Sequence, residues 1–291
     1  MKELNIFCFG FGQVAKNFIN KIKSEKININ LSVSSREKSQ KKKFNEIEYD
    51  SFQFSENTFD LALIKKLRES DHILVSISPI NGLDIVVKNF FETFKEVKPK
   101  WITYLSATSV YGDHKGDWVN EESKTSPTSI MGKDRLKAEI SWLDLAQKKN
   151  LPLQIFRLSG IYSNEKNILI RLKSGNEKII NKKNHYFSRI HVEDIANILY
   201  KSLTNFKSKE IYNISDDKPA SSVEVALHGA KLLNIKEPET IESSLLENGT
   251  LKNFYKDSKK VNNKKMKIFF NYKLKYPTYI EGLNHIYDNI I

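Results

Sequence analysis

Short apolar runs alternate with amphipathic segments along most of the chain. Leu4–Phe9 is a compact apolar run of the kind a buried strand needs. Past Gly10 and Gly12, the residues Val14, Phe18, Ile19 and Ile22 recur at helical spacing. Ile27, Ile29, Leu31 and Val33 then alternate with polar residues, as a strand does. His72–Ile77, Trp101–Ser106, Leu153–Leu158 and Ile211–Ile214 predict further strands, with helices over Leu83–Phe94 and Leu136–Ala146 among them. In the second of these helices Leu136, Ile140 and Leu143 share one face, with Trp142 and Ala146 beside it. Strand, helix and strand in repetition predict an α/β fold, a doubly wound parallel sheet with helices on both faces. Two stretches break the pattern. Glu37–Lys43 is charged enough to predict an exposed turn and helix start, and Asp257–Lys267 is strongly basic, with little apolar content beyond Val261 and Met266.

The chain of 291 residues is long enough for one large domain or a domain with an appendage. At 40% apolar residues it is neither collagen-like nor disordered throughout. No run approaches the ~18 apolar residues of a membrane span. The stretch Leu4–Phe11 is broken by Asn5 and lacks a secretory cleavage site. A cytoplasmic protein without membrane contact is therefore expected. Cys8 stands alone, which excludes an internal disulfide and a cysteine-based zinc site. His72, His185, His228 and His285 have no metal-ligand spacing, so no metal is expected. The net charge of +12 comes from 47 Lys or Arg against 35 Asp or Glu. The excess is mostly Lys spread among Asn and Ile without a nucleic-acid recognition motif. An anionic small molecule suits it better than nucleic acid does.

Gly10-Phe11-Gly12-Gln13-Val14-Ala15 follows a predicted strand and opens a predicted helix, in the pattern Gly-x-Gly-x-x-Ala. Gly10 permits the tight turn, Gly12 lets a pyrophosphate approach the backbone, and Ala15 lets the helix pack close to the sheet. Gln13 and Val14 lie in the first turn, where free N–H groups and the helix dipole face the phosphates. The second strand ends in Ser34-Ser35-Arg36, with no carboxylate before Glu37. NAD-binding chains usually carry an Asp or Glu near this point. Ser35 and Arg36 suit a 2′-phosphate instead, so NADP is expected ahead of NAD. The alternative for Arg36 is a solvated surface charge.

With the Gly loop, four later blocks complete a family pattern: Tyr104-Leu105-Ser106-Ala107-Thr108-Ser109-Val110-Tyr111-Gly112, Phe156-Arg157-Leu158-Ser159-Gly160-Ile161-Tyr162, Arg189-Ile190-His191-Val192-Glu193-Asp194-Ile195-Ala196 and Tyr212-Asn213-Ile214-Ser215-Asp216. In this order the chain resembles the extended short-chain dehydrogenases, the group that includes nucleotide-sugar epimerases and dehydratases. Its Gly-x-Gly-x-x-Ala spacing is closer to an atypical branch. The resemblance implies a Rossmann sheet over residues 1–158. It also implies a smaller, interleaved substrate lobe over 159–291, with a strand near 211–215 returning to the sheet. Ser78, Ser106 and Arg135 join the expected cofactor residues.

The resemblance also shows what is missing. The family transfers a proton with a Tyr, helped by a Lys four residues later and by a Ser or Thr. Aligned on Glu139, the Tyr position is Met131 and the Lys position is Arg135; aligned on Val110-Tyr111-Gly112, the Ser or Thr position is Ala107. A thioether moves no proton, and a guanidinium stays protonated. Ser106 or Thr108 could stand in for the hydroxyl lost at Ala107, and Thr108 is counted as a substrate residue.

Tyr111 and His114, in the loop after the Trp101 strand, are the catalytic candidates. Their alternatives are a packing tyrosine and an exposed loop histidine. His191 and Asp194 are three apart, but the resemblance favours a structural role for them. Arg157, with Lys259, Lys260, Lys264 and Lys265, is read either as the floor of an anion pocket or as a solvated face.

The expected activity is that of an NAD(P)-dependent oxidoreductase or epimerase-like enzyme on an anionic, sugar-derived small molecule, without the usual Tyr/Lys pair. A catalytically silent NADP sensor or scaffold is the alternative, and net charge alone favours a nucleic-acid binder. A homodimer is left open.

Overall fold

The computed structural model describes residues 3–175, 178–246 and 255–290. Its main sheet is built from β1 (Leu4–Phe9), β2 (Ile29–Ser35), β3 (Gln40–Phe44), β4 (Ile47–Gln53), β5 (His72–Val75), β6 (Trp101–Ala107), β8 (Leu153–Leu158) and β12 (Glu210–Ile214). The strands lie side by side in the order β12, β8, β6, β5, β1, β2, β4, β3. The pairs β1–β2, β1–β5, β2–β4 and β5–β6 are parallel, and only β3 is antiparallel to its neighbour among the registered pairs. Helices α1 (Gln13–Ser24), α2 (Ala62–Glu69), α3 (Ile85–Phe90), α4 (Ile130–Lys149) and α6 (Val192–Ser202) connect its strands. This is the expected doubly wound α/β sheet, since parallel neighbours need a crossover, usually helical. Phe7, Phe9, Ile73, Val75, Tyr104, Trp142 and Ile155 belong to the core of this sheet and are buried.

The remaining elements are small: strands β7 (Trp118–Val119), β9 (Gly160–Tyr162), β10 (Ile179–Asn181), β11 (Arg189–His191), β13 (Thr240–Glu242) and β14 (Lys260–Val261), with helices α5 (Ile168–Lys173), α7 (Ser222–Leu233), α8 (Lys264–Phe270) and α9 (Tyr279–Ile290). Tyr162, Leu169, Val225, Tyr279, Leu283 and Ile286 form a second core.

Contacts divide the chain into Met1–Ser106, Lys133–Arg157 and Ile195–Tyr212 as one unit, and Ala107–Gly132, Leu158–Asp194 and Asn213–Ile291 as the other. One boundary falls between Arg157 and Leu158, beside the expected division at 158, while residues 107–132 and 195–212 lie on the other side from the one the sequence suggested. Residues 107–132 join the second unit because β7 pairs with β14, and Asp113 accepts a hydrogen bond from the Ser258 N–H at 2.8 Å. Residues 195–212 join the first because α6 leads into sheet strand β12.

Two sequence expectations change. Gln40–Phe44 is an edge strand of a hairpin, not a helix start. The turn is made by Asn45 and Glu46, both at positive φ (46° and 68°), which is what a tight two-residue hairpin needs. Its lysines guard an exposed edge and mask the strand in the sequence. On α4 the buried face is Ala138, Trp142, Leu145 and Ala146, while Ile140 is 59% exposed. The Trp142 indole sets this rotation. It donates to Asp84 Oδ2 at 3.0 Å and lies against the rings of Tyr104 and Phe94. Asp84 also caps α3, its Oδ1 accepting from the Val86 and Val87 N–H groups.

His191 and Asp194 have the structural roles the resemblance implied. Both Asp194 oxygens accept, from the Tyr272 hydroxyl and from the N–H groups of Lys275 and Tyr276. His191 is wholly buried, with its ring near Tyr162 and Tyr276. Burial pulls its pKa down from 6.5 to about 4. Between those values the unfolded chain binds a proton that the folded chain refuses, so this group's contribution to stability falls as pH falls from 6.5 to about 4. His191→Asn should remove about 1–3 kcal/mol of that fall. Urea unfolding of parent and variant across this pH range measures it; parallel pH profiles would show that His191 carries no such load.

Candidate functional site

The corner between β1 and α1 is shaped by two glycines that do different work. Gly10 has φ +85°, and a Cβ there would lie 2.7 Å from Ile77 Cγ2 and 2.9 Å from Ser76 Oγ. Its N–H donates to Ser34 Oγ at 3.1 Å, which ties the corner to β2. At Gly12 a Cβ would meet nothing within 4 Å, so the space beside the backbone is open. Gly12 is also the N-cap residue of α1, and no side chain caps that helix. The N–H groups of Gln13 and Val14 are therefore left for an anion, with the positive end of the helix dipole behind them.

A cleft of about 780 Å³ opens at this corner and is lined by Gly10, Phe11, Lys16, Ser35, Arg36, Lys42 and Ser78, among others. Phe11 leans on Phe44 and Tyr49, the latter also in the lining. Arg36 is exposed and makes no ion pair among the described residues. Glu37, the nearest carboxylate after the second strand, is held by Lys42 at 2.5 Å, and that ammonium keeps it below the usual carboxylate range. Lys16, Lys42 and Tyr49 were not singled out in the sequence. The hairpin that brings Lys42 and Tyr49 to the cleft was the missing signal.

Arg135 is braced rather than free. Its Nη1 donates to the Leu105 carbonyl at 2.8 Å and the Tyr104 hydroxyl at 3.2 Å, and Nη2 donates to Ser78 Oγ at 2.6 Å. It therefore reaches the cleft through Ser78. Ser106 is buried with its Oγ unpartnered. Gly10, Ser35, Arg36 and Ser78 thus gather at one cleft, and Gln13 and Val14 begin the helix beside it. Arg135 and Ser106 do not line the cleft.

In the second unit, the loop after β6 turns at Gly112, φ +73°, where a Cβ would lie 1.9 Å from the Ser126 carbonyl. Tyr111 is wholly buried, and its hydroxyl donates to Asn213 Oδ1 at 2.7 Å. This corrects its reading as a proton donor to substrate, because the enclosed phenol anchors the loop. His114 is half-buried, with Nε2 3.2 Å from the Lys124 carbonyl and no paired carboxylate among the described residues. It lines none of the three pockets described here.

Met131 is 66% exposed on the first turn of α4. It lines a pocket of about 530 Å³ with Ala107, Thr108, Ile130, Tyr186, Asp257 and Lys259, among others. The pocket thus holds both Met131 and Ala107. Gly160 and Phe187 line this pocket and also a second one, of about 430 Å³. Among the described residues, the second is lined by Lys166, Arg171, Lys178 and Arg189, by Tyr162, Tyr255 and Tyr279, and by no carboxylate. Arg189 donates to the carbonyls of Phe187 and Ala220, both at 2.8 Å.

Arg157 is a further correction. It is buried, donating from Nε to Glu139 Oε1 at 3.0 Å and from Nη2 to Oε2 at 2.7 Å. That bidentate pair cannot serve as an anion floor. Of the basic run, Lys259 lines the 530 Å³ pocket and Lys260 lies over the Tyr186 ring at 4.2 Å. Lys264 and Lys265, on α8, line neither pocket of this unit.

Residues 82–215 match the model of the NAD dependent epimerase/dehydratase family. Among solved structures, a functionally unknown conserved protein from Silicibacter pomeroyi is 27% identical, with 99% of each chain covered and a TM-score of 0.83. A dTDP-glucose 4,6-dehydratase from Bacillus anthracis, in complex with NAD, is 18% identical over 98% of this chain and 96% of that one, with a TM-score of 0.78. A UDP-glucuronic acid 4-epimerase from Bacillus cereus, in complex with UDP-glucuronic acid and NAD, is 16% identical over 99% and 98%, with a TM-score of 0.77. No curated protein sequence matches the chain. The resemblance to nucleotide-sugar epimerases and dehydratases therefore stands, in fold and across the matched segment. Among the described residues no helix is long and apolar enough to cross a membrane.

Removing one partner of the Arg157–Glu139 pair leaves a buried charge alone. Arg157→Met should lower unfolding free energy by about 3–5 kcal/mol, and Arg157→Met with Glu139→Met should recover most of it. Urea unfolding of the four-member cycle measures both. A single variant as stable as the parent would contradict the buried pair.

Proposed function

We propose that the chain binds NADP at the first β-to-α corner and acts as an epimerase-like or oxidoreductase enzyme on an anionic, sugar-derived small molecule. The corner carries this reading: a left-handed Gly10, open space at Gly12 and an uncapped α1 fit a dinucleotide pyrophosphate. The Bacillus structures named above, in complex with NAD, support the general class of cofactor.

When bound, the dinucleotide would supply the hydride acceptor or donor. The chain's own groups would bind and orient it. The first-turn N–H groups of α1 face the pyrophosphate. Ser35 and the unpaired Arg36 suit the extra phosphate of NADP, and Lys16 and Lys42 add positive charge to the same cleft. Glu37 is less suited to bind the ribose hydroxyls of NAD while Lys42 holds it.

For the substrate, the four cations of the 430 Å³ pocket favour an anionic group, and its three tyrosines offer flat apolar faces. Gly160 and Phe187 connect that pocket to the one containing Met131 and Ala107. A homodimer would cover the exposed Ile140 on α4.

Quenching of intrinsic fluorescence by NADPH and by NADH tests the cofactor choice. NADPH should bind at least about tenfold more tightly, and Arg36→Glu should abolish that margin. Equal affinities in the parent would refute the choice of NADP, and no binding of either would refute the whole reading. NADPH oxidation with a panel of sugar-derived carbonyl compounds distinguishes an enzyme from a silent binder.

A further inference from the structure

The 530 Å³ pocket lies wholly within the second unit, every lining residue falling in 107–132, 158–194 or 213–291. Much of its wall is apolar, made by Ala107, Ile130, Met131, Leu158, Phe187 and Val261. Two polar side chains in that wall lack a hydrogen-bond partner among the described residues. Ser159 is 4% exposed, and its Oγ is enclosed without a hydrogen bond. The Lys259 side chain is only 12% exposed, and its nearest carboxylate oxygen, Asp257 Oδ2, is 4.0 Å away, beyond hydrogen-bond length. A buried hydroxyl or amine left unpaired is costly, so both groups point to a ligand.

The backbone holds this lysine in place. Four consecutive N–H groups are tied to the rest of the unit: Ser258 donates to Asp113 Oδ1 at 2.8 Å, Lys259 to the Tyr186 carbonyl at 3.4 Å, Lys260 to the Asp117 carbonyl at 2.9 Å and Val261 to Ser188 Oγ at 3.0 Å. A nearly buried, loosely paired amine therefore stands on a fixed segment, as a reactive group must.

We propose that Lys259 captures an aldehyde or ketone with an apolar body as a Schiff base in this pocket. The step needs nothing from the first unit. The lone pair of the neutral amine attacks the carbonyl carbon, the C–N bond forms and the C=O electron pair moves to oxygen. One nitrogen proton passes to that oxygen, which gives a carbinolamine. The C–O bond then breaks, the second nitrogen proton leaves with the hydroxyl as water, and the C=N bond forms. Amine and carbonyl thus give imine and water, with no oxidant or reductant. Asp257 is the nearest carboxylate to carry these protons: its Oδ1 accepts from the Thr128 hydroxyl at 2.5 Å, and its Oδ2 is the oxygen 4.0 Å from Lys259 Nζ. The Ser159 hydroxyl can donate to the carbonyl oxygen.

A neutral carbonyl suits this pocket better than an anion does. An anion drawn to the Lys259 ammonium would also meet the Asp257 carboxylate beside it. The electrostatics favour an amine that can release its proton. Burial lowers the pKa of Lys259 from its ordinary range, and the carboxylates of Asp257 and Asp113 oppose the shift in part. Lys182 also acts on Asp113, and the ring of Tyr186 has the Lys260 ammonium above it at 4.2 Å. His185 adds no charge near pH 7, because burial and Lys182 pull its pKa to about 4. More neutral amine at pH 7 is what attack on a carbonyl requires.

Reductive trapping with benzaldehyde and cyanoborohydride at about pH 7, resolved by peptide mass spectrometry, tests the proposal. Lys259 should be benzylated at least about tenfold faster than Lys65, whose side chain is 81% exposed. Glyceraldehyde, a polar aldehyde, should lose most of that margin. Lys259→Arg, which keeps the charge, should remove the imine absorbance that benzaldehyde gives with the parent. Asp257→Asn should slow the appearance of that absorbance about tenfold, while acetylation of Lys259 by acetic anhydride stays at least as fast. Benzylation of Lys259 no faster than that of Lys65 overturns the proposal, and so does an imine absorbance that survives Lys259→Arg. Equal margins for the two aldehydes overturn the apolar ligand class, and an Asp257→Asn variant that forms imine as fast as the parent overturns the part given to Asp257. None of these readouts involves NADPH or the first unit.

Discussion

The close approach of Gly10 to the end of β5 is the constraint on which the first unit depends. No side chain fits there, because Ile77 and Ser76 already occupy the space a Cβ would need. Ser76 reinforces the contact, its hydroxyl lying 3.0 Å from the Phe9 carbonyl and 3.1 Å from that of Gly10. The backbone is thereby forced into the left-handed region and out of the strand, and the next residues enter α1 without a side-chain cap. A helix start that satisfies no N–H with its own side chains leaves that work to an anion. Fold and binding are thus one event at this corner.

Arg135 shows how a charged side chain can serve as a brace. A guanidinium has a fixed fork of five donors. In this chain the fork is distributed over Tyr104, Leu105 and Ser78, which ties α4 to the ends of β5 and β6. Tyr104 is buried and its phenol is pushed well above the usual range, so it remains a neutral partner at the centre of that brace. A lysine at this position would place a single mobile ammonium where the guanidinium provides a rigid strut.

What was legible in the sequence was local. The strand–glycine–helix corner could be read because all its parts lie within about twenty residues and each has its own periodicity. The misread parts depend on partners distant in the chain. Gln40–Phe44 is a strand only because β4 lies beside it, and its three lysines hide the alternation. Trp118–Val119 pairs with Lys260–Val261, so residues 107–132 leave the first unit through a contact that no window of sequence contains. Arg157 was read as a pocket cation because nothing nearby in sequence suggested Glu139, which lies on α4 while Arg157 lies on β8. The Tyr111 hydroxyl finds its partner in Asn213, 102 residues away, and Lys259, one lysine of a basic run in the sequence, lies in a pocket.

The second unit also restricts what can occupy its two pockets. Gly160 has no side chain because a Cβ there would lie 2.4 Å from the Phe187 ring. Phe187 in turn supports the Arg189 guanidinium, 5.0 Å from its centroid, and its carbonyl accepts from the same arginine. The ring is therefore fixed from two sides, and it stands where both pockets meet. On one side of it the lining is cationic and aromatic; on the other Ile130 and Met131 are exposed and Lys259 is nearly enclosed. The two pockets thus differ in the groups they offer a ligand. That asymmetry follows from packing: a bulkier residue at position 160 would displace Phe187 and disturb both ends at once.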